Sequence, residues 1–481
     1  MKICILCAVL SCSSILLMAQ SNLKVHEWGT FTTVQNSNGL RLPGLKGEKL
    51  PPFVMALNLE QCQTCAQGRP GKTVLKNIGV QMETPVLYFY TDREMPITVD
   101  VQFKNGIINQ WYPQRSKGQS SPESAVLDMA QQGPGFIQWK ATVLKPGLQL
   151  TPTPPAAELT QEWVAPRNTG ANFVKGQNGE IENFLFYRGL ANFETPFKVE
   201  FNNKGSLVLH NQFAQPLSYV LVYDNSPGHQ PTFWWSGKLA SKEKKTIAQP
   251  AQDSDFQTIY DEIVHFRDEL VKAGLNQDEA TAMLQTWYDG YFTDVTDVKG
   301  LRVFWIAPRE FVDGVLPLQI SPTPDKIERV FVGRSEVLTP AFEKELTGLS
   351  TVKMESQFAD HRYLDVFKSG KEMGFPIRWT DFNSNVVTAA KDLPKTPQAL
   401  MSVMPNPFSE SMIVACTITE GSSLHFKLVD VQGKVIKQWV ESDLPAGVFK
   451  KSYSLQDLAS GFYALHMQKE GVQSVVKIVK R

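Results

Sequence analysis

Residues 86–111, VLYFYTDREMPITVDVQFKNGIINQW, contain the clearest structural signal in the chain. Three segments of this stretch are rich in β-branched and aromatic side chains, which favour strands: residues 86–90, 97–103 and 107–111. Apolar residues at every second position of 97–103 have the period of a strand with one buried face. Asn105-Gly106, between the second and third segments, is typical of a hairpin turn. The stretch therefore predicts an antiparallel meander of three strands.

Strand signals of the same kind continue on both sides of a helical region. They recur at residues 136–143, 184–187, 197–201, 207–209 and 217–223, and again at 301–306, 315–320 and 327–332. Between them, Ser254 with Gln257 and Asn276 with Glu279 have capping-box spacing, and apolar residues at helical spacing follow each pair. These patterns predict a helical hairpin, and a further helix is expected near residues 341–346. The predicted fold class is mainly β with a helical insertion, an α+β chain rich in β-sandwiches.

The predicted domain organisation follows these changes of period. Residues 1–19 form a signal peptide, and residues 20–250 form one or more β-rich domains. Two similar segments, Glu83-Thr84-Pro85 and Glu194-Thr195-Pro196, hint that this region contains two related sandwiches. The remaining predicted units are a helical hairpin with returning strands at 251–370, a linker at 371–399, and a C-terminal domain at 400–481.

The amino-terminal segment has the layout of a secretory signal. Lys2 precedes an apolar stretch from Ile3 to Met18, and Ala19-Gln20 follows as the expected cleavage site. A lipoprotein, acylated at Cys12, is the alternative. No later stretch reaches 18 apolar residues, so we expect no transmembrane span after the signal is removed.

The last eighty residues contain four landmarks in a fixed order: MPNPF (404–408), LVDVQGKV (428–435), LASGFYAL (458–465) and VVKIVK (475–480). Alternating Leu424, Phe426 and Leu428 independently indicate a small antiparallel sandwich. Together the landmarks resemble the C-terminal sorting domain of the type IX (Por) secretion system of Bacteroidetes, an Ig-like β-sandwich. The resemblance implies Sec export, translocation across the outer membrane and removal of the tail by a sortase-like peptidase. The product is then secreted or attached to the outer surface, and its partners include the type IX machinery.

The cysteines and the charge balance narrow the classes of function. Cys4, Cys7 and Cys12 lie in the signal and Cys416 in the tail, which leaves only Cys62 and Cys65 in the body. Outside the cell this pair predicts a local disulfide, with a redox-active pair as the alternative.

The 48 basic and 48 acidic residues balance, so nothing favours nucleic acid as a partner.

The string VHEWGTFT at residues 25–32 is the most unusual in the body. His26 and Glu27 are adjacent on an extended segment and therefore point to opposite faces, although each residue type can transfer protons. This string, with METPVLY (82–88) and VLTP (337–340), resembles an uncharacterised family of exported bacterial proteins, and the resemblance implies no activity. If the protein is a secreted hydrolase, its catalytic residues come from distant segments, and the candidates are His26, Glu27, Glu83, Arg188 and Arg309.

Two further residue sets carry binding hypotheses. Trp111, Trp234 and Trp235 stand beside other aromatic residues in strands, so some of these rings are expected to face solvent and to stack on sugar rings. Asp289, Asp294 and Asp297 form a candidate site for Ca²⁺, and no other metal or cofactor is indicated. The preferred function is a secreted or surface module that binds a glycan or peptide. The alternatives are the secreted hydrolase and a structural component of the envelope, so whether the protein is an enzyme stays open.

Overall fold

The computed structural model describes residues 22–376 and 401–480 apart from short internal gaps. In the body these gaps are 47–50, 58, 60–73, 122–125, 155–158, 160, 225–231, 252–253, 255, 294–299 and 360, and in the tail 405–407, 409, 419–421, 431–433, 446, 460 and 470–471. The predicted signal cleavage at Ala19-Gln20, the Cys62–Cys65 disulfide and most of the predicted linker lie outside the described residues. These three predictions therefore stay predictions.

Strands make up about 47% of the chain and helices about 20%, which confirms the mainly β fold class. The body strands are β1 (Lys24–Gln35), β2 (Met55–Ala56), β3 (Val74–Lys76), β4 (Val80–Tyr90), β5 (Met95–Phe103), β6 (Gly106–Tyr112), β7 (Lys117–Gly118), β8 (Val126–Asp128), β9 (Gly135–Val143), β10 (Val174–Lys175), β11 (Ile181–Glu182), β12 (Leu185–Ala191), β13 (Phe197–Phe201), β14 (Leu207–Asn211), β15 (Leu217–Asp224), β16 (Thr232–Leu239), β17 (Lys244–Ile247), β18 (Gly300–Ile306), β19 (Leu318–Ser321) and β20 (Lys326–Leu338). The tail strands are β21 (Met401–Met404), β22 (Ser411–Ile418), β23 (Ser422–Asp430), β24 (Val435–Leu444), β25 (Gly447–Ser454), β26 (Gly461–Lys469) and β27 (Val472–Lys480).

The helices are concentrated in the second half of the body. They are α1 (Gln161–Val164), α2 (Phe256–Lys272), α3 (Gln277–Tyr288), α4 (Arg309–Val315), α5 (Pro340–Gly348), α6 (Thr351–Gln357) and α7 (Leu364–Met373), with a π-helix at Asp289–Thr293 and 3-10 turns at Met129–Gln131 and Ala165–Arg167. The predicted helical hairpin is α2 and α3. Asn276 and Glu279 form the expected capping box, because the Glu279 backbone N–H donates to Asn276 Oδ1 and the Asn276 backbone N–H donates to Glu279 Oε2, each at 2.8 Å. Helices α6 and α7 were not predicted, and α7 extends into the predicted linker.

A nine-stranded sheet in the order β16-β15-β18-β20-β1-β4-β12-β6-β2 forms the centre of the body. Its neighbours are antiparallel except for the parallel pair of β1 and β20. Strands from before and after the helical hairpin therefore share one sheet, and the predicted boundary at residue 250 runs through it. The two similar segments also occupy different settings, since Glu83–Pro85 lies within β4 and Glu194–Pro196 precedes β13 of a separate three-stranded sheet.

The central sheet is covered on both faces. One face packs on the outer sheet β11-β10-β9-β5-β19 and on the sheet β13-β14-β17, with Phe31, Trp139 and Trp305 in the shared core. The other face packs on α1–α3 and the π-helix through an aromatic core that includes Trp28 and Tyr291. Strand β4 is therefore buried on both faces, which explains the apolar run over its residues 85–90.

The predicted three-stranded meander is only partly correct. All three strands form, but β5 pairs with β9 and β19 in the outer sheet, whereas β6 pairs with β12 and β2 in the central sheet. Burial explains the separation, because β5 alternates between buried and more exposed residues whereas β6 is buried on both faces. The Asn105-Gly106 turn therefore connects two layers instead of two paired strands.

The tail is a β-sandwich, as predicted. The sheets β21-β22-β25 and β24-β23-β26-β27 share one apolar core, to which Met412, Phe426 and Leu465 contribute. Within the part of the chain that the structure describes, no helix combines the length and the apolar character needed to cross a bilayer.

Candidate functional site

His26 and Glu27 lie on opposite faces of β1 and belong to different groups of polar residues. The imidazole Nδ1 of His26 lies 2.9 Å from Glu279 Oε2, on the helix-covered face. Glu279 Oε1 accepts a 2.6 Å hydrogen bond from Tyr90, and burial and the Glu279 charge raise the pKa of this tyrosine. We call this contact the His26 pair. Glu279 accepts from the Nδ1–H of His26, so the pair positions the ring and anchors α3 on the sheet.

Glu27 lies on the opposite face, in a network that also contains Arg309. Glu27 Oε2 accepts from Arg329 Nε at 2.5 Å, and Oε1 accepts from Tyr187 at 2.5 Å. Arg329 Nη1 reaches Asp313 Oδ1 at 2.8 Å, and Arg309 Nε reaches the other oxygen of Asp313 at 2.7 Å. Burial and the charge of Glu27 raise the pKa of Tyr187, so the phenol stays protonated and donates. We call this group the Glu27 network, and it ties β1, β12, β20 and α4 together.

A third polar group lies on the helix-covered face near the ends of β1 and β20. Thr32 of β1 lies opposite Arg334 of β20 on one side and opposite Gln81 of β4 on the other. Thr30 of β1 lies opposite Glu83 of β4. Adjacent strands are about 4.8 Å apart, and residues two apart on a strand share a face, so these five side chains are neighbours. Glu336, Tyr291 and Arg362 contact them, and Tyr363 in turn contacts Glu336. We call the nine residues the Arg334 cluster.

The charges of the Arg334 cluster are strongly coupled. Arg334 donates through Nε and Nη2 to Glu336 Oε1, at 2.8 and 2.5 Å. Arg302 lies 3.2 Å from the same oxygen. Burial would raise the pKa of Glu336, but the charges of Arg334 and Arg302 outweigh it and hold the pKa below its usual value. Glu83 Oε1 accepts from Arg362 Nη2 at 2.5 Å, so each carboxylate has at least one guanidinium partner.

Several buried polar atoms of the cluster lack a hydrogen-bond partner among the described residues. They are Arg334 Nη1, Thr32 Oγ1, Gln81 Nε2, Gln81 Oε1 and Glu83 Oε2. The four residues are at most 1% exposed. A buried polar atom without a partner costs about 1–3 kcal/mol, and native structures contain few of them. Five such atoms on neighbouring side chains therefore distinguish this cluster from the Glu27 network.

The π-helix covers the cluster. The hydroxyl of Tyr291 lies 2.5 Å from Thr30 Oγ1, and the guanidinium carbon of Arg334 is 5.8 Å from the Tyr291 ring centre. A β-carbon added to Gly290 would lie 3.5 Å from Arg334 Nη1, so the glycine leaves room beside this nitrogen. Gly290 is partly exposed, and the side chain of Arg362 is 16% exposed. π-Helices are rare and occur frequently at functional sites.

The structure does not bring the five candidates for a hydrolase together in one place. Glu83 belongs to the Arg334 cluster, and Arg188 is buried in β12, the strand beside β4. Glu27 and Arg309 share the Glu27 network on the other face. His26 shares a face with Glu83, but their positions differ by four residues along β1, about 13 Å. They do not form one common site.

The tryptophan and calcium candidates have different outcomes. Trp111 is buried at 5% exposure, and Arg115 lies over its ring, because β6 is covered on both faces; this corrects the expectation of an exposed ring. Trp234 and Trp235 are partly buried on the edge strand β16, where Lys245 Nζ lies 5.2 Å from the Trp235 ring centre. The side chains of Asp289, Asp294 and Asp297 lie outside the described residues. In the part that is described, no three His, Cys, Asp or Glu side chains are grouped to hold a metal.

Sequence reasoning missed Thr32, Gln81, Arg334 and Glu336. Arg334 and Glu336 interrupt the otherwise mostly apolar segment VFVGRSEVL at residues 330–338. Charged residues within a strand that reads as buried are a usable signal, since burying them requires partners. Their convergence with Thr32 and Gln81 depends on strand order, which the periodicity does not report.

Comparison with known proteins identifies the tail. Residues 402–481 match the family model of the secretion system C-terminal sorting domain. The chain carries a type IX sorting domain. This domain indicates export by the type IX system and delivery to the outer surface. No curated protein matches the chain.

Solved structures add no assignment for the body. The yeast delta-COP-I mu-homology domain in complex with a Dsl1 WxWxV peptide is 6% identical, with a TM-score of 0.25 over 66% of this chain and 98% of that one. Latent PorU from Porphyromonas gingivalis is 6% identical, with a TM-score of 0.16 over 89% of this chain and 34% of that one. Native alpha-2-macroglobulin from Escherichia coli is 7% identical, with a TM-score of 0.16 over 88% and 96%. Scores this low carry no inference about fold or function.

Proposed function

We propose that the body of this exported protein binds a glycan at the Arg334 cluster. The observation that carries the proposal is the set of five partnerless buried atoms on Arg334, Thr32, Gln81 and Glu83. Their free energy of desolvation is not recovered within the described chain, and a polar ligand that supplies hydrogen bonds would recover it.

The chemistry of these atoms matches a sugar better than an apolar ligand. Arg334 Nη1 and Gln81 Nε2 are donors, Gln81 Oε1 and Glu83 Oε2 are acceptors, and the Thr32 hydroxyl can do either. A sugar hydroxyl also donates and accepts, so neighbouring hydroxyls can satisfy such a mixed set. Within the cluster, the ring of Tyr291 stacks on that of Trp287 with centres 5.8 Å apart, which places apolar groups beside these polar atoms.

The test is glycan binding by the purified full-length chain, first on a glycan array and then by titration with the glycan bound best. Thr32→Val keeps the shape of the side chain and removes the hydroxyl, so the affinity should fall about fivefold to tenfold, the value of one hydrogen bond. Thr33→Val is the matched control, because Thr33 lies on the opposite face and contacts Ser335 Oγ at 3.3 Å. Equal affinities of the Thr32→Val, Thr33→Val and wild-type chains would refute binding at the cluster.

A second candidate function, hydrolysis, is supported by the His26 pair. Glu279 is buried and the His26 side chain is 13% exposed, so a carboxylate orients an imidazole whose other nitrogen can exchange a proton with a ligand. The test is release of product from the glycans that bind. A rate that is lost in His26→Gln but retained in Glu27→Gln would favour hydrolysis at this pair, and no turnover of any bound glycan would exclude it.

We also propose the processing steps that the tail family suggests. The signal would be cleaved between Ala19 and Gln20, and a sortase-like peptidase would remove the tail before release or surface attachment. The match of residues 402–481 supports the steps directed by the tail, and the layout of residues 2–20 supports the signal cleavage. Intact-mass measurement of the protein from its native host should show neither end, and a surface product that retains Arg481 would contradict the proposal.

A further inference from the structure

Among the residues with partnerless buried atoms, Arg334 is the cationic one, and the position of its unpaired nitrogen is defined. Its Nε and Nη2 are both used by Glu336, which leaves Nη1 without a partner among the described residues. Gly290 stands beside Nη1, and a β-carbon there would come within 3.5 Å of it. A methyl group would fit there in ordinary van der Waals contact, so the glycine leaves room of about that size next to a buried cationic donor.

We propose that Arg334 Nη1 and the space at Gly290 form a subsite for a carboxylate, so that the ligand is an acidic glycan containing uronate residues. This inference rests on the proposed function and specifies its ligand. A guanidinium N–H donates a charge-assisted bond to a carboxylate, which is about twice as strong as a bond between neutral groups. The remaining atoms of the cluster would bind the hydroxyls of the same sugar.

The charges around the subsite are compatible with an anion. Burial acts to lower the pKa of Arg334, but Tyr363 and Glu336 outweigh it and raise the pKa above its usual value, so the guanidinium stays charged. Glu336 is bonded by both Arg334 and Arg302. Glu83 is another carboxylate of the cluster, and its contact with Arg362 offsets its repulsion of a bound anion.

The approach to the subsite passes over the π-helix. Gly290 is partly exposed, whereas Tyr291 and Arg334 beneath it are buried. Arg362, with 16% of its side chain exposed, forms the rim on the side of Glu83. A sugar that enters over Gly290 would place its carboxylate on Nη1 before its hydroxyls reach Thr32 and Gln81.

Gly290→Ala gives a test that leaves the ion pairs intact. The added methyl makes only an ordinary van der Waals contact with Nη1, and Gly290 has no left-handed backbone angle, so the variant should fold. It occupies the space that the carboxylate needs. Gly348→Ala is the matched control, because nothing lies within 4 Å of a β-carbon at Gly348.

The experiment titrates the full-length wild type and both variants with tetragalacturonate and with its methyl ester, which removes the charge of each carboxylate and adds a methyl group there. The wild type should bind the acid at least about tenfold more tightly than the ester, and Gly290→Ala should lose most of this preference, in keeping with the value of a charged hydrogen bond. Gly348→Ala should behave as the wild type.

The outcomes separate the two proposals. Equal affinity for the acid and the ester, or an acid preference that survives Gly290→Ala, overturns the carboxylate subsite and leaves glycan binding standing. If neither oligosaccharide nor any array glycan binds, the proposed function fails and the subsite fails with it. Binding of hexaglutamate in preference to tetragalacturonate would also overturn the inference, because the carboxylate would then belong to a peptide.

Discussion

On one face of the central sheet, Glu27 and Arg329 are joined to Tyr187 and Asp313, and both oxygens of Glu27 accept hydrogen bonds. On the other face, Arg334 and Glu336 are also paired, but Arg334 and the residues beside it include five polar atoms with no partner in the described chain. In the Glu27 network the corresponding atom is Arg329 Nη2 alone. Buried charge by itself therefore does not indicate a site. A group of buried charges whose hydrogen bonds are complete has a structural role, whereas a group with unpaired polar atoms is a candidate binding site.

Arg329→Met should have the largest effect on stability. It leaves Glu27 buried with Tyr187 as its remaining partner, and an uncompensated buried carboxylate costs about 3–5 kcal/mol in free energy of unfolding. The measurement is urea unfolding followed by tryptophan fluorescence. Arg334→Met is the matched variant, with a smaller expected loss because Glu336 keeps Arg302. If the Arg334 variant were the less stable of the two, the Arg334 cluster would contribute more to stability than the Glu27 network, contrary to the prediction.

His26→Ala should cost less, about 1–3 kcal/mol. The buried Glu279 would lose one hydrogen bond but keep those from Tyr90 and the Asn276 backbone. The same unfolding measurement applies. His210→Ala, on the strand β14, is the control, and its effect should stay within about 0.5 kcal/mol. A similar small change for His26→Ala would show that the pair does not anchor α3.

Thr32→Val and Thr33→Val should change stability in opposite directions, each by about 1 kcal/mol. The first removes a buried hydroxyl without a partner and should stabilise the protein, whereas the second removes the contact with Ser335 and should destabilise it. Stabilisation together with weaker glycan binding would show that Thr32 is kept for its ligand at the expense of stability. Destabilisation by Thr32→Val would mean that the hydroxyl is satisfied inside the fold, and the contrast between the faces would weaken.

The sequence predicts local structure much better than the neighbours of each strand. Hydrophobic alternation and turn residues identify β4, β5 and β6, yet the Asn105-Gly106 turn does not reveal that it joins two different layers. The capping box at Asn276 is predictable because all its atoms lie within four residues. Glu83 and Arg188 can be chosen as candidates for their charge alone. The relation of Glu83 to Thr32 and Arg334 arises only when β1 pairs between β4 and β20, segments that are distant in the chain.

The smallest expected effect is the change with pH in the stability contributed by Glu336. It tests whether the ion pair inside the Arg334 cluster keeps this carboxyl group charged. Burial acts against the charged form of Glu336, but Arg334 and Arg302 together depress its pKa in the folded state. The ion pair therefore contributes stability above the unfolded value of about 4.3, and this contribution is lost as the pH falls through the folded pKa. The gap in unfolding free energy between the wild type and Glu336→Gln should narrow below about pH 4.3 in urea titrations at successive pH values. A gap that stays constant down to about pH 3 would mean that Glu336 is not held ionised by the two arginines.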